Sequence, residues 1–299
     1  DLDYNGRHID TGKWPKAQVS VSPRVGFNWD ILGNKTLKLR GGTGLFSGRL
    51  PLVFFTNMPT NSGMVQYQAQ INSKNASERG FTMNEFAGGL VTDQNGKPTI
   101  AALKEKLIGL GYPENITPEQ GTVPSSISAV ASKFKMPQVW KTSLAVDYQL
   151  PVDFPFTVTA EGIVNKVVND VTISDWSMTD TKGYSRWNGA DSRPIYPETF
   201  RAPGNKQAFV LENTHKGYGW SANLTVKMRP WDFMSFMASY THSVKKELTS
   251  MPGSNAESAF TYVPTISGPN NINLHNAINT TPDRFIATLT GHDKSNDHY

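Results

Sequence analysis

Residues 17–45, AQVSVSPRVGFNWDILGNKTLKLRGGTGL, alternate between apolar and polar side chains over most of their length, and this alternation decides the fold class. From Ala17 to Ile31 the odd positions read Ala, Val, Val, Pro, Val, Phe, Trp, Ile, while the even ones read Gln, Ser, Ser, Arg, Gly, Asn, Asp. Successive strand side chains point to opposite faces, so one face of this segment is oily and the other wet. The turn-forming run Leu32-Gly33-Asn34-Lys35 follows, and Leu37, Leu39 and Leu45 then resume the pattern opposite Lys38 and Arg40. The segment reads as a β-hairpin.

Two further hairpins follow the same plan. Trp140, Thr142, Leu144, Val146, Tyr148 and Leu150 oppose Lys141, Ser143, Asp147 and Gln149, and a Pro-bounded turn leads to Phe156, Val158, Ala160 and Val164. Tyr218, Trp220, Ala222, Leu224, Val226 and Met228 oppose Ser221, Asn223, Thr225 and Lys227 before the Arg229-Pro230-Trp231-Asp232 turn returns the chain through Met234, Phe236, Ala238 and Tyr240. A last strand is expected near 283–291, with Phe285, Ala287 and Leu289 on one face.

The connections within hairpins are short. Those between them, about 47–138, 170–216 and 246–281, are long, and this regular alternation points to an up-and-down antiparallel transmembrane barrel with short periplasmic turns and long external loops. Trp140 to Leu150 covers about 33 Å of strand, or about 25 Å of height at a tilt of roughly 40°, the thickness of an outer-membrane apolar band. Aromatic residues gather at both strand ends: Trp14, Trp140, Tyr218 and Trp220 on the loop side, and Trp29, Tyr148, Phe154, Phe156, Trp231 and Phe233 on the turn side. Such girdles suit two membrane interfaces, although aromatics also close the ends of a soluble sheet's core.

Composition excludes other classes. In 299 residues only 18% are charged, with 25 Gly and 19 Pro, which disfavours a helical bundle. A net charge of +4, scattered along the chain, gives nucleic-acid binding no support. There is no cysteine, and hence neither a disulfide nor a thiolate centre. No run approaches the roughly 18 apolar residues of a membrane helix, a criterion that does not bear on barrels. In the first long loop, Pro98, Ile100, Leu103, Leu107, Leu110, Gly111 and Pro113 predict a short amphipathic helix.

Chemistry-bearing motifs are sparse. Gly41-Gly42-Thr43-Gly44 lacks the spacing of a phosphate loop and suits a bend or close approach of backbones. The six histidines show no metal spacing apart from a terminal group, His292, Asp293, Asp297 and His298, which also suits a frayed end. No catalytic constellation or cofactor site is expected, so the chain does not read as an enzyme. Arg24, Lys38 and Arg40 on the wet face would suit a lumen or a plug, and equally the open face of a soluble sheet. Trp176, Tyr184, Arg186, Trp187 and Tyr196 in the second long loop are candidate ligand contacts, with loop self-packing the competing explanation.

Three blocks, SPRVGFNWDILGNKTLKLRGGTGLFSGRLPLVFFTN (22–57), FKMPQVWKTSLAVDYQLP (134–151) and LENTHKGYGWSANLTVKMRP (211–230), resemble the barrel of Oar-like TonB-dependent outer-membrane receptors, the branch with a carboxypeptidase-regulatory-like domain. The resemblance implies a 22-stranded barrel in the bacterial outer membrane, closed by an N-terminal plug, with TonB energising the handling of a large ligand. Against that plan, residues 1–299 are expected to hold about seven strands and neither plug nor TonB box, and an odd number of strands does not close a bacterial single-chain barrel. The chain is therefore read as a segment of a receptor barrel that contacts membrane lipid, its plug and, through the plug, TonB. The alternative is a secreted β-sandwich that binds carbohydrate or peptide, with the oily faces packed against each other.

Overall fold

A computed structural model describes residues 2–62, 72–82, 94–97, 99–120, 125–201, 207–263 and 265–291. They fall into two compact units, 1–62 with 126–299, and 63–125.

In the first unit, seven strands form one continuous antiparallel wall: β3 (Arg24–Asp30), β4 (Leu37–Ser47), β6 (Gln138–Gln149), β7 (Phe156–Asp175), β9 (Tyr218–Trp231), β10 (Met234–Glu247) and β12 (Asp283–Gly291). The expected hairpins are all present, and the wall is open, with β3 at one edge and β12 at the other. At the first turn, the Asp30 carboxylate accepts from Gly33 N at 3.1 Å and Lys35 N at 2.8 Å, which holds both residues at positive φ. The first strand begins at Arg24 rather than at residue 17. Pro23 has no N–H to donate to a ladder, and its carbonyl accepts the last bond of the pair, from Leu45 N at 2.9 Å.

The glycines of β4 let the wall close up locally. A Cβ on Gly41 would come within 2.8 Å of Ser143 O and 3.0 Å of the Phe27 ring, and one on Gly44 within 2.9 Å of Pro23 O. Close approach, one of the two structural uses expected of this run, is what the strand shows.

β7 runs past the expected end of its strand. Gln138 pairs with Asn169 and Val139 with Val167, so Val168 is an extra residue, a bulge that reverses the parity of the strand. Below it, Ala160, Gly162 and Val164 are exposed on even numbers; above it, Asn169, Val171, Ile173 and Asp175 are buried on odd numbers. The His215 ring N–H donates to the freed Val168 carbonyl, and Gly217 O accepts from Val167 N at 3.2 Å. Gly217, at φ 128°, packs so closely on Val167 that a Cβ would lie 2.8 Å from its methyl. The stretch 213–217 thus seats the bulge, with Asn213 binding Asp170 O and both backbone polar groups of Lys135.

Above the bulge β7 acquires new neighbours: β8 (Gln207–Thr214) pairs antiparallel with it, and β5 (Ser126–Val130) pairs parallel with β8. This small sheet is covered on both faces. On one, Val171, Ile173, Val130, Phe209 and Leu211 pack with helix α1 (Val53–Thr60) and a helix over Ala256–Thr261. On the other, Ile127, Ala129, Ala208 and Val210 pack with Tyr4 and Ile9 of the β1–β2 hairpin (Leu2–Tyr4, Arg7–Ile9). We call this layer the cap. A two-residue strand, β11 (His275–Asn276), adds to the end of β10.

The second unit contains α2 (Ser73–Glu78) and α3 (Ile100–Gly109); the helix over Ala256–Thr261 is α4. α3 is the helix expected in the first loop, with Thr99 as its N-cap, accepting from Ala102 N at 3.1 Å; Pro98 lies outside the described residues. Leu107 and Leu110 pack on Ala76, Phe81 and Tyr112, while Ile100 stays exposed. Arg79 lies over the Tyr112 ring at 4.0 Å.

Candidate functional site

The register of the wall lines up side chains across all seven strands. One row reads Trp29, Leu39, Val146, Ala160, Leu224, Tyr240, Phe285. The next row, on the opposite face, reads Asn28, Arg40, Ala145, Glu161, Asn223, Thr241, Arg284. The first face is exposed: Val25 is 69% accessible, Leu224 50% and Phe285 70%. The expectation of two stacked apolar faces, the sandwich alternative, fails here, because this oily face is open to the surroundings.

From Trp220 to Trp231 the wall climbs about 36 Å along the strand, about 28 Å of height at a tilt of roughly 40°. Trp140, Tyr218 and Trp220 stand exposed at the loop end of this face, and Trp29, Tyr148, Trp231 and Phe233 at the turn end. At the turn end, the rings of Trp231 and Phe233, and those of Phe154 and Phe156, stack at 6.1 Å. Toward the loop end the face turns polar: His242 Nδ1 and Tyr240 Oη each bond Asp283 Oδ1, at 2.7 and 2.6 Å, and Trp220 packs on the His242 ring.

The opposite face carries a hydrogen-bonded lattice. Arg40 Nε donates to Asp147 Oδ2 at 2.9 Å and its Nη1 lies 3.6 Å from Glu161, while Thr159 Oγ1 donates to Asp147 Oδ1 at 2.7 Å. Ala145, between Arg40 and Glu161 in the register, is buried. Asn223 donates to Ser239 Oγ and Thr241 Oγ1, and Thr225 Oγ1 donates to Asn223 Oδ1. The Arg24 guanidinium and the Lys141 ammonium sit over the Phe46 ring, at 4.4 and 5.5 Å. Arg24, Lys38 and Arg40 therefore all lie on the wet face.

The cap is organised by a carboxylate that periodicity did not single out. Asp175 is fully buried; its Oδ1 accepts from Ser177 N and Oγ and from Ala208 N, and its Oδ2 from Arg201. Asn270 clamps the same residue's backbone, accepting from Asp175 N at 2.8 Å and donating to Asp175 O at 2.7 Å. A visible clue is that Asp175 continues the buried parity of Val171 and Ile173, where an unpaired charge would be costly.

The structure divides the loop candidates. Tyr184 and Tyr196 meet edge to face at 5.7 Å, Tyr196 packs on Phe200 at 5.4 Å, and Tyr184 Oη bonds Thr179 Oγ1. Trp176 packs on the Tyr4 side of the cap beneath the Arg7 guanidinium. Arg186 and Trp187 belong instead to the tip of a tight turn, closed by Trp187 N to Arg193 O at 2.8 Å, where Arg186 donates to Ser192 O and Trp187 is exposed. Beside Tyr196 lies a polar cleft of about 270 Å³, lined also by Arg7, Thr179, Asp180, Asn270 and Asn271. Among the described residues the buried Tyr196 hydroxyl has no hydrogen-bond partner, and burial, with Tyr184 adding to it, pushes its pKa up. The terminal histidine group at 292–298 lies outside the described residues, and among those described no cluster could hold a metal.

Comparison with known proteins bears on this geometry. The family model described as outer membrane beta barrel domain matches residues 2–291. Among solved structures, the outer membrane transporter YddB from Escherichia coli is similar at 11% identity and a TM-score of 0.35, over 76% of this chain and 20% of that one. The siderophore receptor PirA from Pseudomonas aeruginosa is similar at 10% identity and a TM-score of 0.33, over 75% of this chain and 28% of that one. The chain thus spans less than a third of either structure's length. Among curated proteins nothing matches.

Proposed function

Because this chain belongs to the outer membrane β-barrel domain family and so resides in the bacterial outer membrane, we propose that it forms part of the wall of a TonB-dependent receptor of the Oar-like branch, a transporter for a large ligand. The observation that carries this reading is the paired rows across the wall, one apolar from Trp29 to Phe285 and the next polar from Asn28 to Arg284. A wall with two faces of this kind separates hydrocarbon from a wet interior. Unpaired backbone groups cost several kcal/mol each in lipid, so further strands must meet β3 and β12. Arg24, Lys38 and Arg40 then face the plug, and the cap, with Trp176, Tyr184, Arg186, Trp187 and Tyr196, takes part in ligand contact on the external side. No catalytic role is assigned to any residue.

A cysteine placed at Lys38 (Lys38→Cys), in protein extracted at its native length from outer membranes and compared with the unsubstituted protein, tests the reading; residues 1–299 hold no other cysteine. A short bifunctional cross-linker should join it to a plug segment of the same polypeptide. Unhindered labelling by a bulky water-soluble maleimide, with no cross-link, would show an open lumen and reject the plug.

A further inference from the structure

Beyond the row of His242 and Asp283, a second row of the oily face carries charge. Immediately on the loop side of the Thr142, Val164 and Trp220 row, the register places Leu45, Trp140, Lys166, Tyr218 and Lys246 side by side on β4, β6, β7, β9 and β10. Lys166 is exposed and Lys246 half-buried, and Trp140 and Tyr218 are exposed between and beside them. Among the described residues neither ammonium has an ion pair, whereas the neighbouring Lys245, on the other face, is bound to Glu247 at 2.7 Å. Two cations interleaved with aromatic rings thus stand at the loop-side edge of the hydrocarbon-facing band. Long-stemmed lysines lay their methylenes along apolar surface and carry the charge to the interface.

We propose that Lys166 and Lys246, with Trp140 and Tyr218, form a binding site for the phosphate headgroup of an anionic outer-leaflet lipid. The inference rests on the long loops being external, which makes this edge the outer interface. The two lysines flank Tyr218 on successive strands, so their backbones lie about 10 Å apart, and two flexible four-carbon stems can converge on one phosphate from that separation. The aromatic rings occupy the depth at which amphipathic rings settle between headgroup and chains. The charge is complementary to a lipid phosphate, and the site is continuous with the face that the acyl chains already cover.

The test uses protein extracted at its native length, in nonionic detergent, titrated with diphosphoryl lipid A, with the same lipid after phosphate removal, and with inorganic phosphate alone. The wild-type protein should retain diphosphoryl lipid A, and the double variant Lys166→Gln, Lys246→Gln should bind it about twenty-five-fold more weakly, at about five-fold for each lysine. The dephosphorylated lipid should bind both forms alike and weakly. Millimolar inorganic phosphate should not displace the lipid, since the rings and the band supply part of the hold. Equal affinity of the two forms for diphosphoryl lipid A would overturn the site, and displacement by free phosphate would overturn the lipid as its occupant. Heat-modifiable migration of the variant, measured alongside, separates lost binding from lost folding, and the single variants should each show the smaller effect.

Discussion

The wall and the cap are made of the same alternating strand, yet they solve opposite problems, and β7 belongs to both. Below the bulge its Val164 is 58% exposed; a few residues above, Val171 is 3% exposed. In the wall, apolar side chains face outward and polar ones bond one another inside, as at Arg40, Asp147 and Thr159. In the cap, the apolar side chains are enclosed by helices and a hairpin, and the buried charge of Asp175 is fully satisfied. Strand geometry alone does not say which solvent a face will meet. The surroundings decide, and a one-residue bulge is enough to change the assignment.

Three substitutions and one titration probe the difference between wall and cap. Phe209→Ala empties a core position of the cap at a cost of about 3–5 kcal/mol. Hydrogen exchange should rise sharply over 207–214 and stay unchanged in β3 and β4; equal loss in the wall would show a single cooperative body. Leu224→Arg puts a charge at mid-height on the oily face and should cost about 2–4 kcal/mol in a bilayer. Urea titration in vesicles reads it, and the adjacent Thr225→Arg, on the wet face, should be tolerated; a reversed order would invert the faces. Arg40→Ala removes the ion pair of Asp147 and leaves it the Thr159 hydrogen bond and the more distant Lys38 charge, and because the group is partly accessible the loss should be about 1 kcal/mol.

The smallest effect is one of pH. Asp170, above the bulge, has its carboxyl held above the usual range, by burial first, and by Glu247 as well. A raised carboxyl favours the folded state once protonated, so its contribution to cap stability is full below the unfolded pKa and lost as pH rises through the folded value. Cap protection, corrected for intrinsic exchange, should therefore fall slightly on going from acid toward neutral pH, and Asp170→Asn should abolish that slope.

The sequence shows the wall far more clearly than the cap. A strand with one wet face leaves a period-two signature, which is why all three hairpins and the final strand could be read directly. β8 is covered on both faces, so Ala208, Phe209, Val210 and Leu211 form an unbroken apolar run without alternation. β5 is short and hidden for the same reason. The bulge at adjacent Val167 and Val168 interrupts the period and hides the upper part of β7 from a reading of alternation. The β1–β2 hairpin did carry a signal, Asn5-Gly6, both at positive φ, but its strands are only three residues long. At the candidate site, Tyr184 and Tyr196 pack on each other, the loop self-packing that competes with ligand contact, and aromatic composition alone does not place that pair. Asp175, Asn270 and Arg201 are polar residues from distant segments, and only the fold brings them together.

The most direct test of the two-faced wall is a cysteine scan along β9, one substitution at a time from Ala222 to Lys227, with a spin label on each and the protein in lipid bilayers. Collision with oxygen dissolved in the lipid should peak at 222, 224 and 226, and collision with a water-soluble nickel chelate at 223, 225 and 227. Loss of that two-residue period, or the opposite phase, would contradict the account.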